Sequence, residues 1–435
     1  MTTAAGVAAD ITRVEKMLRI AYADEPASVL PKKYNTLSDS IKLVSKQKGP
    51  GLKFYQPVPI SISGGFTYNR DGSVVDLNQG IAPEVLNAEL TGAEIIGQEY
   101  ISYSALNRAA KGKQAFVDGL DHIVKALGAG AAKRRALALW YGGGASPTGS
   151  LGALGVIDQV IDATTTNLTV SITDETFCPS LWIGMKGHEF DIYDAADGTT
   201  KHNDAGVAAD RTTVYVANGV VDVALRQVSF TSEDTNNDAV ATGDFIKFAG
   251  SHNKDCLGFM GQFAVATLHG IATTNACWKP QSVAVAGRMS WNKLNLGLEQ
   301  LQDYGYEGDL TLFAPGRAYR QLMDDQAAFV SHANSGKGPG GGKLSVGYDS
   351  IEFHGPCGMV RVKKEMLMQR GRMVALPLSD CMRIGPSDLT FTQPGVGRLL
   401  LDVAQKNAVQ IKIWSEQAPY CEFPNGMMLF TGITA

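Results

Sequence analysis

The sequence FVDGLDHIVKALGAGAAKRRALALWYGGG, residues 116–144, contains the features that decide the fold. Its apolar residues recur with helical spacing and share one helix face: Phe116, Leu120, Ile123, Val124 and Leu127. We predict one long amphipathic helix over residues 104–141, ending on Trp140-Tyr141 because three glycines follow directly.

Residues 51–103, immediately before this helix, predict an extended β loop. The segments Lys53–Ser63 and Ile95–Tyr103 alternate apolar and polar residues, and we expect them to pair as outgoing and return strands. Pro57 and Pro59 restrict the first strand to a sheet edge or a free ribbon. The ribbon is too long, and too polar at its far end, for a compact core. We therefore expect it to lie on a neighbouring subunit.

Residues 1–50 predict an N-terminal arm that begins with a short helix over residues 10–23. The sequence starts with Met1, so we expect that no preceding segment is missing. Residues 104–157 are assigned to the long helix and the start of the body.

Residues 158–275 predict an inserted β-rich domain, a small barrel or sandwich, because short β-branched runs alternate with Asp, Asn and Gly turns. Residues 158–255 carry 16 acidic and 6 basic residues, a net charge of −10. Since the whole chain carries −4, the remainder carries +6. The pattern indicates an acidic module inserted in a basic body.

The sequence pattern of residues 276–395 again indicates both helices and strands. Ser290 is a predicted helix cap, Leu310–Ala314 a buried strand, and a further helix follows Pro315. Residues 396–435 predict strands that return to the core, joined by turns that include Asn425-Gly426. The predicted fold class is therefore α+β with an inserted all-β domain.

Composition excludes several classes of protein. The chain has 435 residues, of which 44% are apolar and 19% charged, which is typical of an ordered globular protein. The net charge of −4 argues against a polyanion-binding chain. The six cysteines form no CxxC pair, and the sequence has no signal peptide and no membrane-length apolar run. We expect reduced thiols and assembly in a cytoplasm, without a membrane partner.

The sequence motifs predict no catalytic residue, no cofactor site and no metal site. Residues 335–343 are glycine-rich, but Leu344 stands where a phosphate-binding loop requires Ser or Thr. Asp234, Asn236 and Asp238 resemble the start of a calcium loop, yet the glycine and the bidentate Glu are missing. The histidines are scattered. We therefore predict that the protein is not an enzyme.

The order of these segments resembles the major capsid proteins of tailed bacteriophages, which share the Hong Kong 97-like fold. The resemblance is carried by three stretches in order: Ala136–Gly144 followed by Ser146–Gly149, the helix-strand-helix Trp291–Leu322, and the strand pair Ile351–Val362 and Arg372–Pro377. The β-rich insertion at 158–275 departs from the simplest members.

The resemblance implies an N-terminal arm (1–50), an E-loop (51–103), a spine helix with the start of the P-domain and A-domain (104–157), and A-domain and P-domain strands (276–395). It further implies a head protein that assembles with itself into pentamers and hexamers, forming an icosahedral shell around double-stranded DNA. Portal, scaffold or decoration proteins would be partners, DNA would touch the inner face non-specifically, and the location would be the virion, assembled in the bacterial host cytoplasm.

Two other interpretations remain open at this point. The chain could be a β-rich phage surface or decoration protein that binds a partner through the acidic module. It could also be an enzyme whose site is dispersed in sequence. A shell protein should form rings or particles, whereas either alternative should form a small discrete species.

Overall fold

The computed structural model describes residues 36–45, 53–70, 72, 74–103, 113–144, 149–163, 167–195, 201, 215–232, 240–333, 351–391, 400–402 and 406–435. For residues 113–122, 326–333, 351 and 400–402 it describes the backbone. The predicted helix at 10–23, the loop at 335–343 and the Asp234–Asp238 turn lie outside these ranges.

The helices and strands follow one another along the described chain in this order: α1 (Thr36–Ser40), β1 (Lys42–Ser45), β2 (Phe54–Pro59), β3 (Val85–Leu90), β4 (Ala93–Ser102), α2 (Lys113–Tyr141), β5 (Gly155–Ala163), β6 (Asn167–Ile172), α3 (Pro179–Trp182), β7 (Glu189–Tyr193), β8 (Tyr215–Asp222), β9 (Gln227–Ser232), β10 (Phe245–Phe248), α4 (Phe259–Gln262), β11 (Thr267–Leu268), β12 (Ile271–Ala272), β13 (Gln281–Gly287), α5 (Trp291–Asp303), β14 (Leu310–Ala314), α6 (Gly316–Ala333), β15 (Ile351–His354), β16 (Met359–Lys364), β17 (Met373–Leu376), β18 (Cys381–Thr390), β19 (Leu400–Asp402), β20 (Ala408–Cys421) and β21 (Met428–Ile433). Short 3₁₀ turns cover Gly149–Gly152, Ala276–Trp278 and Pro424–Gly426.

The first sheet is built around β20, which is long and buried along most of its length. On one side β20 pairs with β18 and β19, and on the other with β4 over Ala408–Gln417. Strand β1 extends the sheet parallel to β18. Helix α2 lies against this sheet, where Ile123, Val124 and Leu127 pack on the buried Ile101 and Ile411. The long helix is thus fixed to the strand that follows the extended loop.

The second sheet has the order β13-β21-β17-β14-β16-β15, with helices α5 and α6 packed on it. Ser290 caps α5 as the sequence predicts, accepting a hydrogen bond from the backbone N–H of Lys293. Leu294, Leu298 and Leu301 face the sheet and are fully buried. Strand β14 is buried at every position, which confirms the prediction for Leu310–Ala314.

A closed barrel forms from the strands β10-β5-β6-β9-β8-β7. Its interior holds an aromatic cluster of Trp182, Phe190, Phe230 and Phe248, with ring centroids 5.3–5.9 Å apart. Such aromatic pairs add specific geometry to a large buried apolar area. The barrel strands end at Phe248, before the end of the module predicted at 158–275.

The structure corrects the pairing predicted for the extended loop. Strand β2 pairs with β3 in the register Phe54↔Leu90, whereas residues 93–102 form β4 and pair with β20. The return strand of the ribbon is therefore Val85–Leu90 and not Ile95–Tyr103. The alternation in 95–103 is real, but it reflects a strand of the main sheet that is partly covered by helix α2.

Three smaller differences concern element bounds. The apolar pattern at Val221–Phe230 predicts one strand, but the structure has the end of β8 and the start of β9 there, with a turn between them in which Arg226 has φ of 59°. Strand β5 was not predicted. Asn425-Gly426 lies in a 3₁₀ turn between strands of different sheets, because β20 belongs to the first sheet and β21 to the second.

Candidate assembly surface

The ribbon β2–β3 is anchored at its base. Phe54, Ala88 and Leu90 are fully buried and share a core cluster with Trp278 and Tyr420. The backbone N–H of Glu89 also donates to the carbonyl of His269 at 2.7 Å. Because these contacts hold the last part of β3 and the first part of β2, the ribbon leaves the body in a fixed direction.

The far part of the loop, residues 60–84, is closed mainly by its own short contacts. Gly64 and Ile81 form an antiparallel bridge, and the Asn78 side-chain amide donates to the Phe66 carbonyl at 2.7 Å. The Ser61 hydroxyl accepts from the backbone N–H of Glu84 at 2.7 Å. These hydrogen bonds shape the tip without burying its side chains.

The tip exposes a group of large apolar side chains, which we call the arm-tip patch: Ile62, Phe66, Tyr68, Val74, Leu77 and Ile81. Tyr68 is 95% exposed and Ile62 is 92% exposed. Covering a large apolar side chain gains roughly 1.5–3 kcal/mol, so leaving six in water forfeits a large driving force. Exposed large apolar side chains that are concentrated in one segment indicate an interaction surface.

The sequence pattern predicts that the far end of the loop is too polar for a core, and this reasoning does not identify the arm-tip patch. The segment combines polar turn residues with six large apolar ones. The density of apolar residues between Ile62 and Ile81 was the signal that could have identified it.

Helix α2 extends for 29 residues, about 43 Å, and ends as the sequence predicts. Trp140 is fully buried and meets Phe313 edge to face, with ring centroids 5.3 Å apart. The Tyr141 hydroxyl donates to the Leu367 carbonyl at 2.8 Å and accepts from the backbone N–H of Gln369 at 3.0 Å. The end of the helix is thereby tied to the segment that connects β16 to β17.

The basic residues in the last turns of α2 contact the barrel and the first sheet. Lys133 Nζ donates to the Ile183 carbonyl at 2.8 Å, and the Arg134 guanidinium lies over the Phe248 ring, 3.5 Å from its centroid. Burial lowers the pKa of Lys133 to about 8 and that of Arg134 to about 10. Arg135 forms an ion pair with Asp388. Residues 133–135 therefore join helix α2 to the barrel and to the first sheet.

The two motifs weighed for chemistry, the loop at 335–343 and the Asp234–Asp238 turn, lie outside the residues that the structure describes. Within the described ranges, no three His, Cys, Asp or Glu side chains are grouped as a metal site requires. The absence of catalytic and cofactor residues stays a prediction. No helix among the described residues is long and apolar enough to cross a membrane.

Comparison with known proteins finds similarity to solved structures. No protein-family model matches the chain, and no curated protein matches its sequence. The solved Cyanophage A-1(L) capsid asymmetric unit is similar over 95% of this chain and 98% of its own, with a TM-score of 0.53 at 11% identity.

Two further solved structures are similar over most of both chains at lower scores. The capsid of a native GTA particle covers 95% of each chain at 10% identity and a TM-score of 0.43. A structure of Mycobacterium phage Bobi covers 98% of this chain and 99% of its own at 9% identity and a TM-score of 0.44. On the full-length similarity to the cyanophage capsid chain, this protein has the mixed helix-and-strand fold of a phage capsid protein, as the sequence resemblance predicts.

Proposed function

We propose that this chain is the major capsid protein of a tailed bacteriophage. Copies of the chain would assemble into pentamers and hexamers and close an icosahedral shell around double-stranded DNA. The fold supports assignment to the capsid proteins, and the exposed arm-tip patch on an anchored ribbon supports self-association.

In this proposal the parts of the chain take the roles of the Hong Kong 97-like fold. Residues 51–103 contain the E-loop, although its second ribbon strand is β3, and helix α2 is the spine of the P-domain. The second sheet belongs to the A-domain and P-domain strands of 276–395, and the barrel is the inserted domain. Portal, scaffold or decoration proteins are expected partners, and the particle would assemble in the bacterial host cytoplasm.

The observation that carries the proposal is the arm-tip patch. In an isolated chain, water surrounds the apolar tip of the anchored ribbon. The tip therefore buries no apolar surface there. An obligate interface of roughly 2,000–5,000 Å² or more would cover it. A shell supplies such a surface, because every subunit has a neighbour in the same relative position.

The test is a triple substitution, Ile62→Ser, Phe66→Ser and Leu77→Ser, in the full chain. The substituted side chains are exposed, so the variant should fold with an unchanged circular dichroism spectrum. We expect it to elute as small species, with particles reduced at least tenfold, where the parent chain forms rings or shells by electron microscopy.

The matched control is Leu296→Ser, which changes an exposed leucine on helix α5 at 59% exposure. This variant should assemble like the parent. Normal particles from the triple variant would contradict the role of the tip, and a parent chain that forms only a small discrete oligomer would overturn the shell proposal itself.

A further inference from the structure

Two cysteines face one another across neighbouring strands of the first sheet. Cys381 is the first residue of β18, Cys421 is the last residue of β20, and the antiparallel register places them directly opposite. Directly opposed residues in a sheet project their side chains to the same face. Both cysteines are buried and are free thiols in this structure.

The hydrogen bonding around this pair identifies its geometry. The backbone N–H of Glu422 donates to the Asp380 carbonyl at 2.9 Å. That bond joins the residue after Cys421 to the residue before Cys381, so the cysteines occupy a non-hydrogen-bonded pair. Such pairs have Cα atoms roughly 4.5 Å apart and side chains closer together than in the alternate pairs. A disulfide requires Cα atoms about 4.4–6.8 Å apart, so the backbone needs no rearrangement.

The direct opposition in the register places the two thiols side by side. Burial, followed by hydrogen bonding with the Cys421 thiol, raises the pKa of Cys381 well above its usual range. Other buried cysteines instead direct their sulfur atoms to backbone carbonyls: Cys357 to Leu298 at 2.9 Å and Cys178 to Met366 at 3.3 Å. Among the six cysteines, Cys381 and Cys421 are directly opposed across paired strands.

The pair lies where the chain passes twice between the two sheets. The segment from β17 to β18 enters the first sheet at Cys381, and the segment from β20 to β21 leaves it at Cys421. A covalent bond at this point would tie both crossings together. It would close the chain between residues 381 and 421, which removes conformational freedom from the unfolded chain.

We propose that Cys381 and Cys421 form a redox site that a low-molecular-weight disulfide oxidises to a cross-strand disulfide. One cysteine, as its thiolate, attacks the small disulfide, forming a mixed disulfide and releasing one small thiol. The second thiolate then attacks the protein sulfur of the mixed disulfide and releases the second small thiol. The two cysteines lose two electrons and two protons, and the reagent is reduced to two thiols.

The burial of both cysteines determines the conditions under which this reaction occurs. The thiolate is the reacting form, and the raised pKa keeps its fraction low in the folded chain. The reagent also cannot reach side chains that are 4% and 1% exposed. Oxidation therefore proceeds through local opening at the junction of the sheets, and the finished disulfide is shielded from reductant in the same way.

The experiment exposes the full chain to glutathione disulfide, both in buffer and in urea just below the unfolding transition. Remaining thiols are then alkylated under denaturing conditions, and the peptides are identified by mass spectrometry without reduction. We expect slow linkage in buffer and fast linkage in urea, with the peptides of Cys381 and Cys421 joined. The exposed Cys277 should carry glutathione in both samples, which shows that the reagent is active.

Two variants sharpen the test. Cys421→Ser should abolish the linked peptide, whereas Cys357→Ser, which removes another buried thiol, should retain it. The oxidised parent should also unfold at a higher urea concentration than the reduced parent. Recovery of Cys381 and Cys421 as separate alkylated or glutathione-bearing peptides in urea, with Cys277 modified, would overturn the proposal, as would a lower unfolding midpoint after linkage.

Discussion

Gly142 determines how closely the end of helix α2 approaches the chain after the barrel. A Cβ atom at Gly142 would lie 2.1 Å from the Cys256 carbonyl oxygen and 2.6 Å from that of Ala138. Gly258 faces it, donating its backbone N–H to the Gly142 carbonyl at 2.8 Å. The close contact is between backbones, so a rotamer change cannot relieve it.

We expect Gly142→Ala to lower the free energy of unfolding by roughly 1–3 kcal/mol or more, because the added methyl group must displace backbone. Gly130→Ala is the control, since its Cβ would meet nothing within 4 Å inside the same helix. It should raise stability by roughly 0.5–1 kcal/mol, because alanine restricts the unfolded chain. Urea unfolding of the unassembled chain measures both, and an equal effect of the two substitutions would contradict the steric argument.

Glu365 is a buried carboxyl group at the start of the segment that receives Tyr141. Its Oε1 atom accepts from the backbone N–H of Leu367 at 3.1 Å, while Oε2 is buried without a hydrogen bond. Burial raises the pKa of Glu365 from 4.5 to about 7, against the smaller opposing effect of its backbone hydrogen bonds. The folded chain therefore holds this proton when the unfolded chain has released it.

The sign of the pH dependence follows from that difference. As pH rises from about 4.5 to 7, only the unfolded state releases the proton, so the Glu365 contribution destabilises the fold across this window. Glu365→Gln removes the dependence and should stabilise the chain above pH 7 by on the order of 1–3 kcal/mol, with no difference below pH 4.5. Unfolding midpoints of parent and variant from pH 4 to 8 test this, and a constant offset would refute it.

At the scale of elements, Arg372 joins the barrel to the second sheet. Its guanidinium is buried and bonds to Glu175 at 3.0 Å, to the Ser150 carbonyl at 2.8 Å and to Gln369 at 2.6 Å. Glu175 lies just after β6, and Arg372 lies just before β17. One side chain thus connects its own segment to Glu175 and Ser150, which precede it by 197 and 222 residues.

We expect Arg372→Gln to lower the free energy of unfolding by roughly 2–4 kcal/mol, because the buried Gln369 and the partly buried Glu175 and Ser150 lose their donor. Arg361→Gln is the matched control, since Arg361 pairs with Glu352 at 3.3 Å on the surface with about half of each side chain exposed. Its cost should stay below about 1 kcal/mol. Similar losses in both variants would show that Arg372 is not a buried junction.

The elements that could be predicted from sequence are those defined by local chemistry. The cap at Ser290, the buried run at Leu310–Ala314 and the glycines after Tyr141 each specify their structure within a few residues. The partner of a strand is not local. Residues 95–103 alternate whether they pair with β2 or with β20, so the sequence could not exclude the wrong pairing.

The same limit applies to the assembly surface. The anchoring of β2 and β3 depends on Trp278 and Tyr420, which lie far along the chain, and so the exposure of Phe66 or Leu77 follows only from the fold. The opposition of Cys381 and Cys421 is likewise a matter of register, invisible in their spacing of forty residues.

At the scale of the whole molecule, the distribution of charge predicts which way the barrel faces in a shell. Residues 158–255 carry a net charge of −10 and the rest of the chain +6. Packed DNA favours surfaces whose Lys and Arg residues release its counterions, and a carboxylate-rich surface offers no such gain. Like charges would also repel within the salt-screening distance of about 8–10 Å. We therefore expect the barrel on the outer face of the particle.

Limited proteolysis of intact, DNA-filled particles tests this orientation. The two turn segments at 197–210 and 234–239, of which the structure describes Lys201, carry the Asp, Asn and Gly composition of exposed loops. We expect the first cuts there, with fragments identified by mass spectrometry. Particles opened before digestion are the control and should add cuts in residues 1–35. Protection of both turns in intact particles while residues 1–35 are cut would place the barrel elsewhere, either inside or between neighbouring capsomers.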